Sequence, residues 1–331
     1  MRHQRLFPPA LALTLLVPAA GSAAAQGEEV PHGPGFAARA LQALLDGIQF
    51  GVIIAICAVG LSLIFGTIHL INFAHGEFVT IGATAAFFLN ASAAGPHWHL
   101  VPATLAAVAV GVLLGAAVDR TIWRPLRARG TGLINLFIVT IGLSLFLRHL
   151  VLLFYGTRPG SYAQYDIQEA YDLGPVGITP RDLTVTLLSV AVLLGVAALL
   201  QKTRIGTAIR AVSDNRDLAE ASGIDVKRVV SVVWMLGGGL AALGGVFFGL
   251  VEIVTWDMGF KLLLLMFAGI ILGGLGSAFG AMVGSLVIGV VAQVSTLWFP
   301  ADLQYAWALL TLIVVLLVRP QGILGRAERV G

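Results

Sequence analysis

Residues 203–228, TRIGTAIRAVSDNRDLAEASGIDVKR, form the longest polar interruption between two strongly apolar segments of this chain. Ser213 or Asp214 can cap the start of a helix, because their side-chain oxygens accept hydrogen bonds from free backbone N–H groups. Gly223 can adopt the left-handed conformation that ends such a helix. The stretch therefore predicts one compact helix of about three turns.

The charges on this segment indicate that it lies in water, although apolar segments flank it on both sides. Acidic residues, Asp214, Asp217, Glu220 and Asp225, alternate with Arg204, Arg210, Arg216, Lys227 and Arg228. Ala219 and Ala221 favour a helix, and their small side chains suit a surface that docks on a partner. A soluble partner bound here would push on two membrane-embedded segments. The alternative is a solvated linker without a partner.

The composition excludes a soluble domain. Of 331 residues, 58% are hydrophobic and 11% charged, and the mean hydropathy is +0.92. These values are typical of a polytopic membrane protein whose main partner is membrane lipid. The net charge of +3 comes from basic residues spread through the loops, which membrane topology explains, so no nucleic-acid partner is expected. The single cysteine, Cys57, permits no internal disulfide and no cysteine metal site.

Nine apolar segments follow one another along the chain. They lie at about 40–66, 72–93, 100–123, 132–155, 182–201, 229–252, 261–274, 279–298 and 303–318. They predict an all-α polytopic membrane protein of about eight or nine transmembrane helices, some of them broken or re-entrant. Glycines spaced four apart, as in Gly111-x-x-x-Gly115, offer faces for close helix packing in lipid.

The N-terminus predicts a cleaved signal peptide over residues 1–25, followed by a periplasmic lead-in over 26–35. Basic residues precede an apolar run of about a dozen residues, and Ala23-Ala24-Ala25 fits a cleavage site. The alternative is a first span that is retained, although the run is shorter than the ~20 residues that cross a membrane.

We expect mass spectrometry of the membrane-extracted protein to find a mature N-terminus near Gln26, because signal peptidase cleaves after small residues at this spacing. An intact Met1 in active protein would show that the segment is retained and would add one span.

The distribution of basic residues predicts the orientation. With the first span placed out-to-in, the segments around Arg124, Arg216 and Arg319 lie in the cytoplasm together with most of the lysine and arginine residues. This gives a multi-pass protein of the bacterial inner membrane with a periplasmic mature N-terminus and a cytoplasmic C-terminus. The loop at 155–181, rich in tyrosine and acidic residues, is then either an interfacial loop or a contact for a substrate-delivering protein.

Two apolar segments are interrupted by polar or glycine-rich sequence. The first interruption contains Asn72, His75, Gly76 and Glu77, and the second contains Gly273, Gly274 and Gly276. Paired broken helices in a transporter often mark the transport path, since irregular backbone at depth needs protein or water around it. Both sets are therefore predicted to line the translocation path. Asn72 and Glu77 are expected to fix the cytoplasmic end of a broken helix.

Catalytic and metal-binding interpretations of these residues are weak. His75 and Glu77 are two apart, so they do not share a helix face, and His69 and His75 lack the spacing of a helical ligand pair. The glycines after Gly273 are not followed by the lysine of a phosphate-binding loop. We therefore expect no catalytic residue, no metal and no cofactor in this chain.

Five stretches together resemble one family, the permeases of ABC importers for branched-chain amino acids and their relatives for urea, amides and sugars. They are INFAHGEF at 71–78, RPLR at 124–127, the polar stretch at 203–228, GGLGS at 273–277 and RPQGILG at 319–325. The resemblance begins near residue 36. It implies a permease domain over 36–325 and a cytoplasmic tail over 326–331.

The resemblance also implies the mechanism and the partners. The polar stretch resembles a coupling helix that docks on separate ATPase subunits, which would bind ATP and Mg²⁺. A second homologous permease, or a second copy of this chain, and a periplasmic solute-binding protein would complete the importer. Branched-chain or other amino acids are the expected solutes, and urea or short-chain amides are the alternative.

Two other function classes remain open at this point. An ion-coupled secondary transporter would need ionisable residues within the membrane, for which Asp119, Arg148 and Glu252 are the candidates. An intramembrane enzyme would need a nucleophile and a base, and the sequence presents no such pair.

Overall fold

The computed structural model describes residues 35–165, 168–172, 174, 176–319 and 321–324. Its helices are α1 (Phe36–Ile68), α2 (His75–Asn90), α3 (Leu100–Val118), α4 (Arg124–Ala128), α5 (Leu133–Tyr155), α6 (Pro180–Lys202), α7 (Arg204–Asp214), α8 (Arg216–Ala221), α9 (Val226–Val251), α10 (Met258–Gly273), α11 (Ala278–Ser295) and α12 (Gln304–Val318). A π-helical turn (Asp119–Trp123) joins α3 to α4, and a 3₁₀ turn (Ala301–Leu303) precedes α12.

The predicted all-α class is confirmed apart from one small hairpin. Strands β1 (Tyr171–Asp172) and β2 (Gly177–Ile178) pair antiparallel in the loop before α6. The predicted signal peptide, the lead-in up to residue 34 and the tail over 326–331 lie outside the described residues.

Each of the nine predicted apolar segments forms a helix. Among the described residues, seven helices are long and apolar enough to cross a membrane. The remaining two, α2 and α10, have 16 residues each, about 24 Å of helix against a hydrocarbon thickness of ~30 Å. These two belong to the segments predicted to be broken. The chain is a multi-pass membrane protein.

Helices α1 and α9 form the centre of the bundle. Both are apolar on nearly all sides and mostly buried, as expected for helices without a solvent or lipid face. α1 packs on α9 and α11, and α9 also packs on α2 and α3. Helices α3, α5, α6 and α12 lie at the periphery and expose large apolar side chains such as Leu187 and Leu317. These exposed faces suit contact with lipid.

Glycines create the close helix contacts, as their spacing predicts. Gly111 and Gly115 of α3 bring that helix against the backbone of α9 at Gly238 and Trp234. Gly273 of α10 touches the backbone of α11 in the same way. A side chain at any of these positions would separate the two helices. Burial of apolar surface does little to hold helices together in lipid. The close approach of the two backbones provides van der Waals contact that does.

The bundle has two ends. The coupling end is defined by residues 203–225, and the far end is defined by the loop over 156–179. At the far end Asn90 is buried and organises this loop: its Oδ1 accepts from the backbone of Ala163 at 2.8 Å and its Nδ2 donates to Trp98 O at 2.7 Å.

Candidate translocation path and coupling surface

Helix α2 begins deep inside the bundle. α1 ends at Ile68, where His69 adopts a left-handed φ of 52°, and residues 69–74 then run back along α1 outside any helix. His75 Nε2 lies 3.0 Å from Cys57 O. Cys57 precedes the end of α1 by eleven residues, which is about 16 Å of helix and roughly half the hydrocarbon thickness.

The first turn of α2 therefore lies inside the bundle, about three turns of α1 before that helix ends. Asn72 and Glu77, which were expected to fix the cytoplasmic end of a broken helix, both lie at this turn. Asn72 is fully buried, and its Oδ1 accepts from the N–H of Ala74 at 3.1 Å. The side chain thus stabilises the turn before α2, and the residue at the helix N-cap position is Ala74.

Two short helices meet at this depth. A side chain at Gly76 would lie 2.6 Å from Gly259 O of α10, and the Gly259 N–H donates to Thr80 Oγ1 at 3.1 Å. The N-terminal turns of α2 and α10 therefore touch. Short helices that begin inside a membrane protein are a frequent element of transport paths.

Glu77 makes a buried ion pair across to α5. Its Oε1 accepts from Arg148 Nε at 3.0 Å, from a terminal nitrogen of Arg148 at 2.8 Å and from Ser144 Oγ at 2.9 Å. The guanidinium carbon of Arg148 lies 3.8 Å from the centre of the Phe260 ring of α10. Charges within a membrane protein are costly and face its interior, so this pair is part of the candidate path.

We expect Gly76→Ala to destabilise the bundle by about 1–3 kcal/mol, because the added methyl group has no room against the α10 backbone. Gly142→Ala is the matched control, since Gly142 lies in α5 with nothing within 4 Å of an added Cβ. The control should gain up to about 1 kcal/mol from helix propensity. Thermal unfolding in detergent measures both, and equal effects would show that the Gly76 contact is unimportant.

The second predicted interruption lies elsewhere, at the coupling end. Gly274 and Gly276 adopt φ values of 109° and 79° in the turn between α10 and α11. A side chain at Gly66, near the end of α1, would lie 2.7 Å from Ser213 Oγ and 3.1 Å from Gly276 O. Residues 274–276 therefore lie beside the polar stretch and apart from the first turn of α2, although both sets were predicted to line one path.

The RPQGILG stretch closes the end of α10. The N–H of Ile323 donates to Leu272 O at 2.7 Å, and that of Leu324 donates to Gly273 O at 3.1 Å. These bonds satisfy carbonyls that the end of a helix leaves free. The C-terminal stretch thereby stabilises the turn at Gly274 and Gly276, which lies beside the polar stretch at 203–228.

The polar stretch at 203–228, called the coupling segment from here on, contains the two helices α7 and α8. This corrects the prediction that it forms one compact helix. Ser213 and Asp214 lie in the last turn of α7 and do not begin a helix. The cap is Asn215, whose Oδ1 accepts from the N–H of Leu218 at 2.9 Å and starts α8. Gly223, with a φ of 85°, has the predicted left-handed conformation.

The two alanines of α8 face opposite ways. Ala219 is buried against this chain's own core, whereas Ala221 is exposed with Asp217 and Glu220. Leu218 is 64% exposed and lies one turn before Ala221. The sequence alone did not single out this leucine, because its exposure depends on how α8 packs on the bundle. Leu218 and Ala221 form the outward face of α8.

A buried carboxylate ties α3 to α9 beside the coupling segment. Asp119, in the π-helical turn, is fully buried and accepts from Arg124 Nε at 3.0 Å, from Arg127 at 2.6 Å and from Ser231 Oγ at 2.7 Å. Arg124 also donates to the same Ser231 hydroxyl at 2.6 Å. This Asp119 cluster, formed by the RPLR stretch, holds the first turns of α9, the helix that directly follows α8.

Comparisons with known proteins agree with this architecture. The family described as "Branched-chain amino acid transport system / permease component" matches residues 43–318. The high-affinity branched-chain amino acid transport system permease protein LivH of Escherichia coli strain K12 is 31% identical over 299 residues, which cover 87% of this chain and 96% of the relative.

Two further relatives extend the comparison. BraD of Pseudomonas aeruginosa, with the same description, is 32% identical over 302 residues, covering 87% of this chain and 96% of the relative. The ribose import permease protein RbsC of Escherichia coli strain K12 is 28% identical over 265 residues, covering 74% and 75%. No solved structure matches this chain.

Proposed function

Because this chain belongs to the branched-chain amino acid transport system permease family, we propose that it is the membrane-spanning subunit of an ATP-driven importer for branched-chain amino acids. The relatives LivH and BraD, named for that transport, support the solute class. The chain itself performs no covalent chemistry in this proposal. ATP hydrolysis takes place on separate ATPase subunits, which bind the ATP and Mg²⁺.

One observation carries the proposal: α8 presents an exposed apolar face while its other side is anchored in the bundle. Ala219 packs into the core, and Leu218 and Ala221 point outward. A partner docked on α8 would bury Leu218, and the small side chain of Ala221 one turn away leaves room for such a contact. A push on α8 passes directly to α9, which packs against α1, α2 and α3.

The orientation and partners follow from this assignment. The coupling end faces the cytoplasm of a bacterial cell, the far end faces the periplasm, and the protein resides in the inner membrane, as the distribution of basic residues supports. The loop over 156–179 then faces a solute-binding protein. A second homologous permease, or another copy of this chain, completes the membrane core.

Purification of the chain from its own cells, followed by uptake assays on the recovered complex, tests the proposal. We expect co-purified ATPase subunits and ATP-dependent leucine uptake that isoleucine and valine inhibit. Inhibition by urea or ribose, with none by isoleucine, would replace the solute assignment. Recovery of a fully active transporter that contains only this polypeptide would overturn the proposed assembly.

A further inference from the structure

Buried polar atoms without partners are concentrated at the start of α2. Nine buried side-chain nitrogen or oxygen atoms lack a hydrogen bond in the described part of the chain, and three of them are Asn72 Nδ2, His75 Nδ1 and Glu77 Oε2. All three side chains are fully buried. A buried polar atom without a partner costs about 1–3 kcal/mol. Their concentration within six residues therefore indicates a place for a polar ligand.

The charges at this place have a specific pattern. Both hydrogen bonds that Arg148 donates to Glu77 go to Oε1, and the other carboxylate oxygen, Oε2, has no partner. A carboxylate with a free oxygen beside a guanidinium is complementary to an α-amino acid, which carries an ammonium and a carboxylate on one carbon. Such a zwitterion brings a partner for each buried charge and adds no net charge to the site.

An apolar groove lies between α2 and α5, beginning about one turn of α2 beyond Glu77. It has a volume of about 490 Å³, within the usual range of small-molecule sites. Its floor includes Ile81, Thr84 and Phe88 of α2, which share a helix face with Glu77 because they follow it by four, seven and eleven residues. The Thr84 hydroxyl donates to Thr80 O at 2.8 Å, so the floor offers mainly apolar surface.

The other wall of the groove comes from α5. Leu147 and Val151 line it, and they lie one and two turns beyond Ser144, which donates to Glu77. The groove and the ion pair thus lie along the same α2–α5 interface. An aliphatic side chain fits the groove, while a charged or strongly polar one would lose its hydration there.

We propose that Glu77 and Arg148 hold the ammonium and carboxylate groups of a hydrophobic α-amino acid during transport, with its side chain in the groove between α2 and α5. This inference rests on the proposed function and assigns that function a binding site within the membrane. The pair seen in this structure is the closed form, in which the two residues satisfy each other until the zwitterion separates them.

Access requires α5 to move away from α2, and the packing of α5 suits such a movement. α5 packs principally on α2, and much of its remaining surface is exposed, including Phe146 and Leu153. The ion pair is the main polar tie across this interface. A displacement of α5 would therefore open the groove down to Glu77 without breaking the central packing of α1 and α9.

The first test compares ATP-dependent leucine uptake by the complete reconstituted importer. The neutral double variant Glu77→Gln/Arg148→Met should lose uptake at least about tenfold, because the zwitterion then meets no charges. Removing both members of a buried pair usually preserves folding, which co-purification of the partners verifies. Leu153→Ala, at a position 76% exposed on α5, is the control and should transport normally.

The charge-swapped variant Glu77→Arg/Arg148→Glu distinguishes a ligand-binding role of the ion pair from a purely structural one. When normal co-purification of the partners shows that the swapped pair folds, a purely structural role requires uptake to recover, whereas the proposed site requires it to stay at least about tenfold low because the ligand charges are reversed. Recovery by the swap, or uptake by the neutral variant within twofold of wild type, would overturn the inference. Wild-type importer that takes up no leucine would instead overturn the proposed function.

A second measurement needs no variant. Leucine added to the purified permease–ATPase complex without its binding protein should raise the unfolding temperature by about 2 °C or more at saturation. 4-Methylpentanoate, which lacks the ammonium group, and 3-methylbutylamine, which lacks the carboxylate, should give no shift. A shift with either compound equal to that of leucine would contradict recognition of the zwitterion.

Discussion

Replacing Asp119 with alanine is expected to lower the free energy of unfolding by about 3–5 kcal/mol, because it removes one partner of a buried charge cluster. Asp119 is fully buried and accepts hydrogen bonds from Arg124, Arg127 and Ser231. Without it, two guanidinium groups lie side by side with no carboxylate between them. The hydrogen bond from Ser231 of α9 to the carboxylate is then lost as well.

Denaturant or thermal unfolding of the detergent-solubilised protein measures this loss. Lys261→Ala is the control, because its ion pair with Asp257 involves a lysine side chain that is 56% exposed, and such pairs contribute no more than about 1 kcal/mol. An Asp119→Ala protein as stable as this control would contradict the role of the Asp119 cluster.

Replacing Ala221 with tryptophan is expected to reduce ATPase co-purification and substrate-stimulated ATP hydrolysis at least about tenfold. The bulky ring would project from the outward face of α8 and separate the partner surfaces, as small changes at the centre of an interface commonly do. Gly223→Val should have the same effect, since Gly223 has a φ of 85° that a β-branched residue adopts only under strain.

The control is Ala301→Trp, the same substitution at an exposed alanine of the far end. It should leave ATPase co-purification unchanged and verify that an exposed tryptophan is tolerated. A solvated linker predicts near-normal values for Ala221→Trp, since surface substitutions away from special backbone features change stability by no more than about 0.5 kcal/mol. Normal co-purification and hydrolysis in both would disprove the docking role of α8.

The arrangement of helices along the chain was predictable because lipid imposes simple requirements on sequence. A span needs a long apolar run, and runs such as those of α5 and α9 leave little ambiguity. Close contacts at Gly111 and Gly115 followed from their spacing, since small residues allow helices to approach in lipid.

The depth of α2 and its pairing with α5 were not predictable from local sequence. Residues 69–74 could have crossed the end of α1 instead of running back along it. Contacts between distant residues, such as His75 Nε2 with Cys57 O and Gly259 N–H with Thr80 Oγ1, fix the position of α2. Glu77 and Arg148 are separated by 71 residues, and nothing in their spacing joins them. Such contacts depend on how whole helices pack.

The break in the coupling segment was missed for a different reason. Ser213, Asp214 and Asn215 are all competent caps, and the sequence alone does not choose among them. In the structure the first two remain in α7, and Asn215 takes the cap of α8.

The most direct test of the central claim is leucine uptake into proteoliposomes that contain this chain and its permease partner, with and without the ATPase subunits. We predict uptake only when the ATPase subunits, ATP and the binding protein are all present, because the proposed function places the origin of the conformational change at α8. Leucine uptake driven by a proton or sodium gradient in vesicles that lack the ATPase subunits would contradict the account and identify a secondary transporter.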